Sequence, residues 1–334
     1  MADFRQTLTY LRDLFDERGI SPQHRFGQNF LIDLNLHSLI ARTAELSSND
    51  VILEVGPGAG SLTALMAKDA GAVVAVDIDP GMAELTREAV EDFPNVRVFN
   101  ADALASKHTL NPQVVDSLRA GLAVSPERRL KLVANLPFNA ATPLISNLLV
   151  HPDLRLTRMV VTIQKELADR LLAEPQTSNY SALSVLVQAL ADVEMIRVLP
   201  PKVFWPRPKV DSAVVLIVPR PEKRALIQDL AWFHAAVRRI FLHRRKNLRG
   251  VLYSTWREAW TKPEVDALLE GLGLTGEIRA ETMNVEEWIS LTDALKVRLG
   301  PELMAKTEAE LGLTIETEPD EAAGPGSKPP ATPA

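Results

Sequence analysis

Five short apolar runs, which alternate with stretches of helical character from residue 51 onward, constrain the fold of this chain most strongly. The runs occupy residues 51–55, 72–76, 96–99, 130–134 and 159–163. Strands that are separated by helices form a parallel sheet with helices on both faces. Two further runs, 194–199 and 212–218, follow each other at close range. The pattern therefore predicts an α/β fold with a doubly wound, mostly parallel sheet and an antiparallel edge.

Helical stretches flank the predicted sheet on both sides in sequence. We predict a short amphipathic helix over 7–19 and a second over about 33–46, with a loop between them. Residues 226–300 contain three or four helical segments and no strand pattern, which predicts a small all-α domain beyond about residue 220. Residues 301–334 form an acidic, proline-rich tail that we expect to be disordered.

The composition excludes several kinds of site. The chain of 334 residues has no cysteine, so it has neither disulfides nor thiolate metal sites nor thiol nucleophiles. We expect no metal site. No apolar run approaches membrane-spanning length, and we expect a cytoplasmic protein with no membrane partner. The net charge is −6, but residues 301–334 contribute −5 of it, so the body can still hold a local basic surface.

The first three predicted strands end in residues that suit a nucleoside. Gly56 and Gly58 stand in a G-x-G-x-G turn after the first strand, Asp77 ends the second, and Asp102 follows the third. Glycine allows close backbone approach, and an acid at the second strand tip can accept hydrogen bonds from a ribose diol. Dinucleotide sites use G-x-G-x-x-G, so the spacing favours S-adenosylmethionine. An oxidoreductase, or a turn without a ligand, is the alternative.

The fourth predicted strand ends in Asn135, Leu136, Pro137 and Phe138. The side-chain oxygen of Asn135 and the carbonyl of Leu136 can each hold one N–H of a planar amine and bias its nitrogen toward tetrahedral geometry. Phe138 can stack on the base, and Pro137 adds no competing N–H. The segment is either a plain turn or a methyl-acceptor site. Its place at the ligand-binding edge of the sheet favours the interpretation as a methyl-acceptor site.

Residues 237–249 contain six cations and no acid, namely Arg238, Arg239, Arg244, Arg245, Lys246 and Arg249. If the run is one helix, Arg238, Arg245 and Arg249 share helical spacing, as do Arg239 and Lys246. A solvated helix face is the ordinary explanation. Uncompensated cations in an acidic protein favour phosphate binding instead, so we predict contact with RNA here. An adenine in folded RNA would have to be unstacked to reach Asn135.

Taken together, the chain resembles the ribosomal RNA adenine N6,N6-dimethyltransferase family, specifically its bacterial small-subunit branch. The resemblance lies in residues 25–31, 54–58, 135–139, 164–166, 180–185, 206–213, 241–246 and 279–281. It implies a Rossmann-like class I methyltransferase sheet and S-adenosylmethionine as the cofactor. The implied reaction is dimethylation of two adjacent adenines of 16S rRNA, in a precursor of the small ribosomal subunit, during ribosome biogenesis. We expect a monomer.

The resemblance also implies roles for individual residues. Those implied to contact or line the cofactor pocket are Asn29, Leu31, Gly56, Gly58, Asp77, Asp102 and Asn135. Phe204 is implied as a second aromatic face opposite Phe138, which stands where the family usually has tyrosine. The implied organisation is a helix and cofactor-covering loop (1–30), a methyltransferase domain (31–220), a helical RNA-binding domain (221–300) and the tail.

Two other functions remain open at this point. One is methylation of adenines in large-subunit rRNA by an enzyme of the same superfamily. The other is a non-catalytic RNA-binding protein, a ribosome assembly or transcription factor built on the same fold. Residues 25–31 and 279–281 favour the small-subunit branch, and the intact Asn135-Leu136-Pro137 sequence argues against pure binding.

Overall fold

The structure is a computed structural model, and it describes residues 7–154 and 156–312. The elements of its first part are α1 (Leu8–Arg18), β1 (Phe30–Leu31), α2 (Leu34–Thr43), β2 (Asp50–Val55), α3 (Ser61–Ala67), β3 (Ala72–Asp77), α4 (Pro80–Ala89), β4 (Val96–Asn100), β5 (Leu104–Ser106), β6 (Thr109–Leu110), α5 (Pro112–Leu122) and β7 (Arg129–Asn135).

The remaining elements follow in chain order. They are α6 (Ala141–Val150), β8 (Leu156–Gln164), α7 (Lys165–Leu171), α8 (Ala182–Leu190), β9 (Ala191–Leu199), β10 (Phe204–Trp205), β11 (Ser212–Pro219), α9 (Pro221–Ala225), α10 (Leu230–Phe241), α11 (Leu248–Thr255), α12 (Lys262–Gly271) and α13 (Val285–Glu310).

Seven strands form one sheet in the order β4-β3-β2-β7-β8-β11-β9. The five strands from β4 to β8 are parallel, while β11 is antiparallel to both β8 and β9. The predicted parallel sheet and its antiparallel edge are therefore confirmed. The carboxyl ends of β2, β3, β4 and β7 meet at one edge, where ligands bind in sheets of this kind.

Strand β2 is mostly apolar in sequence because both of its faces are covered by helices. All six of its residues are buried. Val51, Leu53 and Val55 pack in a core cluster with α5 and α6, and Ile52 packs with α2 and α3 on the other face. Because successive strand residues point to opposite faces, a strand covered on both sides has to be apolar on both.

The described residues after Pro219 form helices that are joined by turns and loops, with no strand element, as the sequence pattern indicated. Its core is rich in tryptophan, with Trp232, Trp256 and Trp288 fully or almost fully buried. The same core includes residues of α8, so the helices pack directly against the sheet layer. The hydroxyl of Tyr180 donates to the carbonyl of Met283 at 2.8 Å across this contact.

Two expectations for the C-terminal region are wrong. Residues 301–310 are not part of a disordered tail, because α13 resumes after a break at Gly300 (φ +73°) and continues to Glu310. Thr307 is buried there and accepts a hydrogen bond from the Trp256 indole at 3.0 Å. Residues 313–334, which hold the rest of the predicted tail, lie outside the described residues.

The run 237–249 is also not one helix. α10 ends at Phe241 and α11 begins at Leu248, where Asn247 caps the new helix by accepting a hydrogen bond from the Gly250 N–H at 2.8 Å. The predicted helical pairing of cations across 238–249 is therefore incorrect. Asparagine is a strong N-cap residue, and its side chain ends the helical register here.

Two short antiparallel ladders were not predicted. In one, β1 pairs with β10, so that Phe30 faces Trp205 and Leu31 faces Phe204. In the other, β5 pairs with β6 in a hairpin. None of the helices within 7–154 and 156–312 has the length and apolarity needed to cross a membrane.

Candidate active site

A cavity of about 380 Å³ opens at the carboxyl edge of the sheet. Most of the residues that the sequence singled out for a cofactor or a base line it together. They are Asn29, Gly56, Gly58, Asp77, Asp102, Asn135, Leu136, Pro137 and Phe138. The parallel strands bring them together, because each lies at or just beyond a strand end or in the loop that covers that edge.

The glycine turn after β2 lets two other segments approach closely. Gly56 and Gly58 have φ values of +75° and +61°, a conformation that strains any residue with a side chain. A Cβ on Gly58 would lie 2.9 Å from the Phe30 ring, and a Cβ on Gly56 would lie 3.1 Å from the Pro137 ring. The turn therefore leaves room both for the chain around Phe30, at the end of the covering loop (residues 21–29), and for the segment after β7 that contains Pro137.

Asp77 at the end of β3 is a buried carboxyl that lines the cavity. Burial raises its pKa to about 6, and the nearby charge of Asp79 also raises it. Hydrogen bonds from backbone N–H groups oppose this rise, among them the Asp79 N–H, which donates to Oδ1 at 2.9 Å. Asp77 is therefore an ionised acceptor at neutral pH.

Asp102 lies just after β4, where the β5–β6 hairpin begins. One of its carboxylate oxygens accepts a hydrogen bond from the Leu104 N–H at 2.9 Å. Its carbonyl accepts one from the Asn111 side chain at 2.8 Å. The hairpin residues 104–107 continue the wall of the cavity. Asp102 thus lines the cavity, and its Oδ2 accepts no hydrogen bond within residues 7–154 and 156–312.

Asn135 is oriented by the covering loop. Its Nδ2 donates to the carbonyl of Asn29 at 2.9 Å, so its Oδ1 is directed the other way. Leu136 donates its N–H to the carbonyl of Thr162 at 3.1 Å. Within the described residues, neither Asn135 Oδ1 nor the Leu136 carbonyl accepts a hydrogen bond from another residue. Two free acceptors therefore stand side by side at the cavity, next to the ring of Phe138.

Comparison with known proteins decides the family. The model of the ribosomal RNA adenine dimethylase family matches residues 20–296. The chain belongs to this family. It is accordingly an rRNA adenine methyltransferase of the class that depends on S-adenosylmethionine.

Curated relatives cover almost the whole family region. The chain is 40% identical over 286 residues to ribosomal RNA small subunit methyltransferase A of Lactiplantibacillus plantarum, covering 85% of this chain and 93% of that one. It is 35% identical over 297 residues to the protein of the same name from Streptococcus sanguinis, covering 89% and 98%.

Two solved structures have the same fold. A dimethyladenosine transferase from Plasmodium falciparum matches with a TM-score of 0.63 and 25% identity, over 78% of this chain and 94% of that one. The 23S rRNA methyltransferase ErmE matches with a TM-score of 0.57 and 27% identity, over 80% and 99%.

Two residues that the resemblance implied for the site of this dimethylase are not brought to the cavity. Leu31 and Phe204 face each other in the β1–β10 ladder, and both side chains are buried in the core cluster that contains Val133 and Val214. The aromatic rings that line the cavity belong to Phe26, Phe30 and Phe138. Phe204 therefore does not form the second aromatic face in this structure.

Several lining residues were missed from the sequence. Ile78 directly follows Asp77 and is 45% exposed, although it is a large apolar side chain. An apolar residue immediately after a strand-tip acid is a signal that could have identified it. The hairpin wall at 104–107 has no comparable signal, because its strands are too short to show an alternating pattern.

A further buried carboxyl, Glu54, lies beneath the glycine turn. Burial raises its pKa to about 8, and the neighbouring Asp77 charge adds to the rise. Its Oε2 is buried and has no hydrogen-bond partner in the described part of the chain. Glu54 is therefore largely protonated at neutral pH and adds little negative charge beside Asp77.

The cations of 237–249 differ in how far the protein itself neutralises them. Two of them form ion pairs: Arg239 pairs with Glu310 at 3.1 Å, and Arg249 pairs with Asp266. Arg244 donates a hydrogen bond to the Tyr180 carbonyl at 3.1 Å. The Arg238 guanidinium lies 3.4 Å from the His108 ring. Arg245 and Lys246 are exposed, and no hydrogen bond or ion pair holds their side chains within residues 7–154 and 156–312. The sequence wrongly suggested that all six cations are uncompensated.

Proposed function

We propose that this cavity binds S-adenosylmethionine and that the enzyme dimethylates the N6 of two adjacent adenines in 16S rRNA of a small-subunit precursor, during ribosome biogenesis. One observation carries the proposal. A single cavity joins the glycine turn and acids at the ends of β2, β3 and β4 to the two free acceptors at the end of β7. Relatives named as small-subunit methyltransferases support the choice of substrate.

The lining residues suit the cofactor. The positive φ values and bare Cα atoms of Gly56 and Gly58 leave room for its amino-acid part, and Asp77 is placed to accept from the ribose hydroxyls. Asp102 is placed to accept from the adenine amine, while Asn29 lies in the loop that covers the cavity. When bound, S-adenosylmethionine supplies an electrophilic methyl group on a sulfonium sulfur.

The acceptor end prepares the adenine amine. In the first transfer, Asn135 Oδ1 and the Leu136 carbonyl each accept one N–H and draw the nitrogen lone pair out of conjugation with the ring, while Phe138 stacks on the base. In the second transfer, the monomethylated amine has one N–H left, which one of the two acceptors holds. With the cofactor held in this pocket, the methyl group that it supplies would pass to N6 and leave S-adenosylhomocysteine, and the surplus N6 proton would pass to water. The rate comes from alignment and fixed dipoles, so no strong general base is needed.

We also propose that the helical region 221–300 contacts the RNA, chiefly through Arg245 and Lys246. Within the described residues these two side chains have no partner to displace, whereas binding through Arg239, Arg244 or Arg249 would first have to break a contact within the protein. Arg238 is the most enclosed of the six, beside His108 and His234. Because the proposed substrate is ribosomal RNA, we expect the enzyme to act in the cytoplasm, and we expect it to be a monomer.

Large-subunit rRNA is the second candidate substrate, favoured by the match to the 23S rRNA methyltransferase ErmE. A transfer assay with radiolabelled S-adenosylmethionine separates the two. Unmethylated small-subunit precursors and large-subunit precursors are supplied separately at the same concentration. We expect label in the small-subunit RNA. Label confined to large-subunit RNA would show that large-subunit rRNA is the substrate. Label in neither RNA would refute both candidates.

A further inference from the structure

We propose that Gln28 is a positioning residue that latches the covering segment (residues 21–29) onto the tip of β3. The latch would close the cofactor end of the cavity and, through the same segment, orient Asn135 at the acceptor end. The inference rests on the proposed binding of S-adenosylmethionine in this cavity.

The first contact of the latch is made by the Gln28 side-chain amide. Its Nε2 donates to Asp79 Oδ2 at 2.9 Å, and its Oε1 accepts from the Gln23 N–H at 2.8 Å. The two ends of one amide thus fold the covering segment into a loop and tie that loop to the body. Gln28 is half-buried and itself lines the cavity.

Asp79 connects this latch to the ribose acid. Its Oδ1 accepts from the Gly81 N–H at 2.9 Å, where it caps α4, so Oδ2 is left for Gln28. Its own N–H donates to Asp77 Oδ1 at 2.9 Å. Gln28, Asp79 and Asp77 therefore form one chain of hydrogen bonds from the covering segment to the proposed ribose acceptor.

The second contact joins the same segment to the acceptor site. The carbonyl of Asn29, the residue after Gln28, accepts the hydrogen bond from Asn135 Nδ2 that directs Asn135 Oδ1 into the cavity. Among the hydrogen bonds of the described residues, these two are the ones that attach 21–29 to the rest of the protein. Releasing Gln28 should therefore weaken cofactor binding and also let Asn135 turn away.

The chemistry of the contact requires an amide. Asp79 needs a donor at Oδ2, and Gln28 Oε1 needs to accept from the Gln23 N–H, which only a group with both a donor and an acceptor can satisfy. A glutamate at 28 would keep the acceptor and place a second carboxylate against Asp79. Protonation of that pair at lower pH would restore a donor.

The test compares Gln28→Ala and Gln28→Glu with wild type and with Gln228→Glu, which makes the same chemical change at an exposed position in the helical region. The dissociation constants of S-adenosylmethionine and S-adenosylhomocysteine are measured by calorimetry at pH 8 and pH 6. At pH 8 we expect Gln28→Ala to bind about tenfold more weakly and Gln28→Glu more weakly still. We expect Gln228→Glu to match wild type.

The pH response identifies a latch rather than a general loss of structure. Wild-type affinity itself should decrease at pH 6 as Asp77 becomes protonated, so the informative quantity is the ratio of the variant to wild type. That ratio should shrink toward one at pH 6 for Gln28→Glu and stay constant for Gln28→Ala. Equal affinities of wild type and both variants at pH 8 would overturn the latch. So would a ratio of the Gln28→Glu to the wild-type dissociation constant that is the same at pH 8 and pH 6.

Amide hydrogen exchange in the ligand-free protein tests the latch without any cofactor. We expect residues 21–30 to exchange faster in Gln28→Ala than in wild type, with β2 and β7 unchanged. Unaltered exchange in 21–30 would refute the latch. Failure of wild type to bind S-adenosylmethionine would instead refute the proposed function, so the two failures are distinguishable.

Discussion

At the residue scale, the buried carboxyl of Asp77 should control how the cofactor site responds to pH. Burial raises its pKa to about 6, and only the ionised form accepts two ribose hydrogen bonds. We therefore expect the dissociation constant of S-adenosylmethionine to rise by up to about tenfold for each pH unit below the pKa. Calorimetry between pH 5 and pH 8 measures this, and Asp77→Asn should bind weakly without that dependence. A flat wild-type profile would show that the carboxylate does not contact the cofactor.

Glu54 should affect stability rather than chemistry. Its pKa is about 8 in the folded protein, whereas the ordinary value is 4.5, so the folded state holds this proton more tightly than the unfolded state does. The free energy of unfolding should therefore fall as pH rises from about 4.5 to about 8.

The isosteric amide removes the titration. We expect Glu54→Gln to be more stable than wild type at pH 9 by on the order of 1–3 kcal/mol, because an uncompensated buried charge is costly. Denaturant unfolding at pH 6 and pH 9 checks this, with exposed Glu222→Gln as the control. An equal loss of stability with pH in wild type and Glu54→Gln would exclude Glu54 as the cause.

Residues at strand tips could be predicted from the sequence, and residues placed by distant pairings could not. Asp77, Asp102 and Asn135 follow strands whose parallel arrangement can be inferred from local pattern, so their meeting at one edge follows. Phe204 was misplaced because its side-chain direction depends on its pairing with Leu31, in a ladder of two residues per strand. So short a ladder leaves no periodic signal.

At the scale of elements, the turn between β2 and α3 depends on the missing side chain of Gly58. Alanine there would combine a strained φ of +61° with a contact of 2.9 Å to the Phe30 ring, which must then shift. We expect Gly58→Ala to destabilise the protein by about 1–3 kcal/mol and to weaken cofactor binding. Thermal unfolding and calorimetry measure the two effects.

Gly271 provides the matched control for that change. It lies at the end of α12 without a positive φ, and a Cβ there would meet nothing within 4 Å. Gly271→Ala should be neutral or stabilising by up to about 1 kcal/mol. If Gly58→Ala behaved like Gly271→Ala, the close approach of the Phe30 ring would have no energetic consequence.

The boundary between α10 and α11 shows where pattern reasoning fails for an element. The cations of 237–249 fit a helical repeat, but Asn247 caps a new helix within the run. A capping residue and a helix-surface asparagine look alike in one sequence. Which of them is present was decided by packing, since Leu248 and Val251 are buried in the helical core.

At the scale of the whole molecule, the proposed RNA surface should depend on Arg245 and Lys246, whose side chains have no partner within residues 7–154 and 156–312. We expect Arg245→Ala with Lys246→Ala to weaken binding to small-subunit RNA and to reduce the slope of log affinity against log salt by about 1.4–1.8, if each contacts one phosphate. Cofactor affinity and melting temperature should not change. Filter binding at several salt concentrations measures the slope.

Arg249→Ala is the contrasting variant. Arg249 is paired with Asp266, so its loss should lower the melting temperature and change the salt slope less than the double variant does. If the double variant kept the wild-type salt slope, Arg245 and Lys246 would not contact phosphate and would be ordinary solvated side chains.

The acidic stretch after residue 300 lies beyond the family match at 20–296, so the family relationship does not explain it.

The overall architecture was more accessible to prediction than the site details. Strand identity and sheet type follow from short apolar runs that alternate with helical stretches, and all five parallel strands were predicted. The insertion of β11 between β8 and β9 depends on long-range pairing, for which the sequence pattern only indicated an antiparallel edge.

The most direct test of the central claim is the rate of adenine methylation by wild type and Asn135→Ala. Unmethylated small subunits are incubated with each protein and saturating S-adenosylmethionine, and N6,N6-dimethyladenine is quantified by mass spectrometry after digestion of the RNA. We predict dimethyladenine with wild type and a rate at least about hundredfold lower with Asn135→Ala, with a far smaller change in cofactor affinity. Absence of product from wild type, or a variant that retains the wild-type rate, would contradict the account.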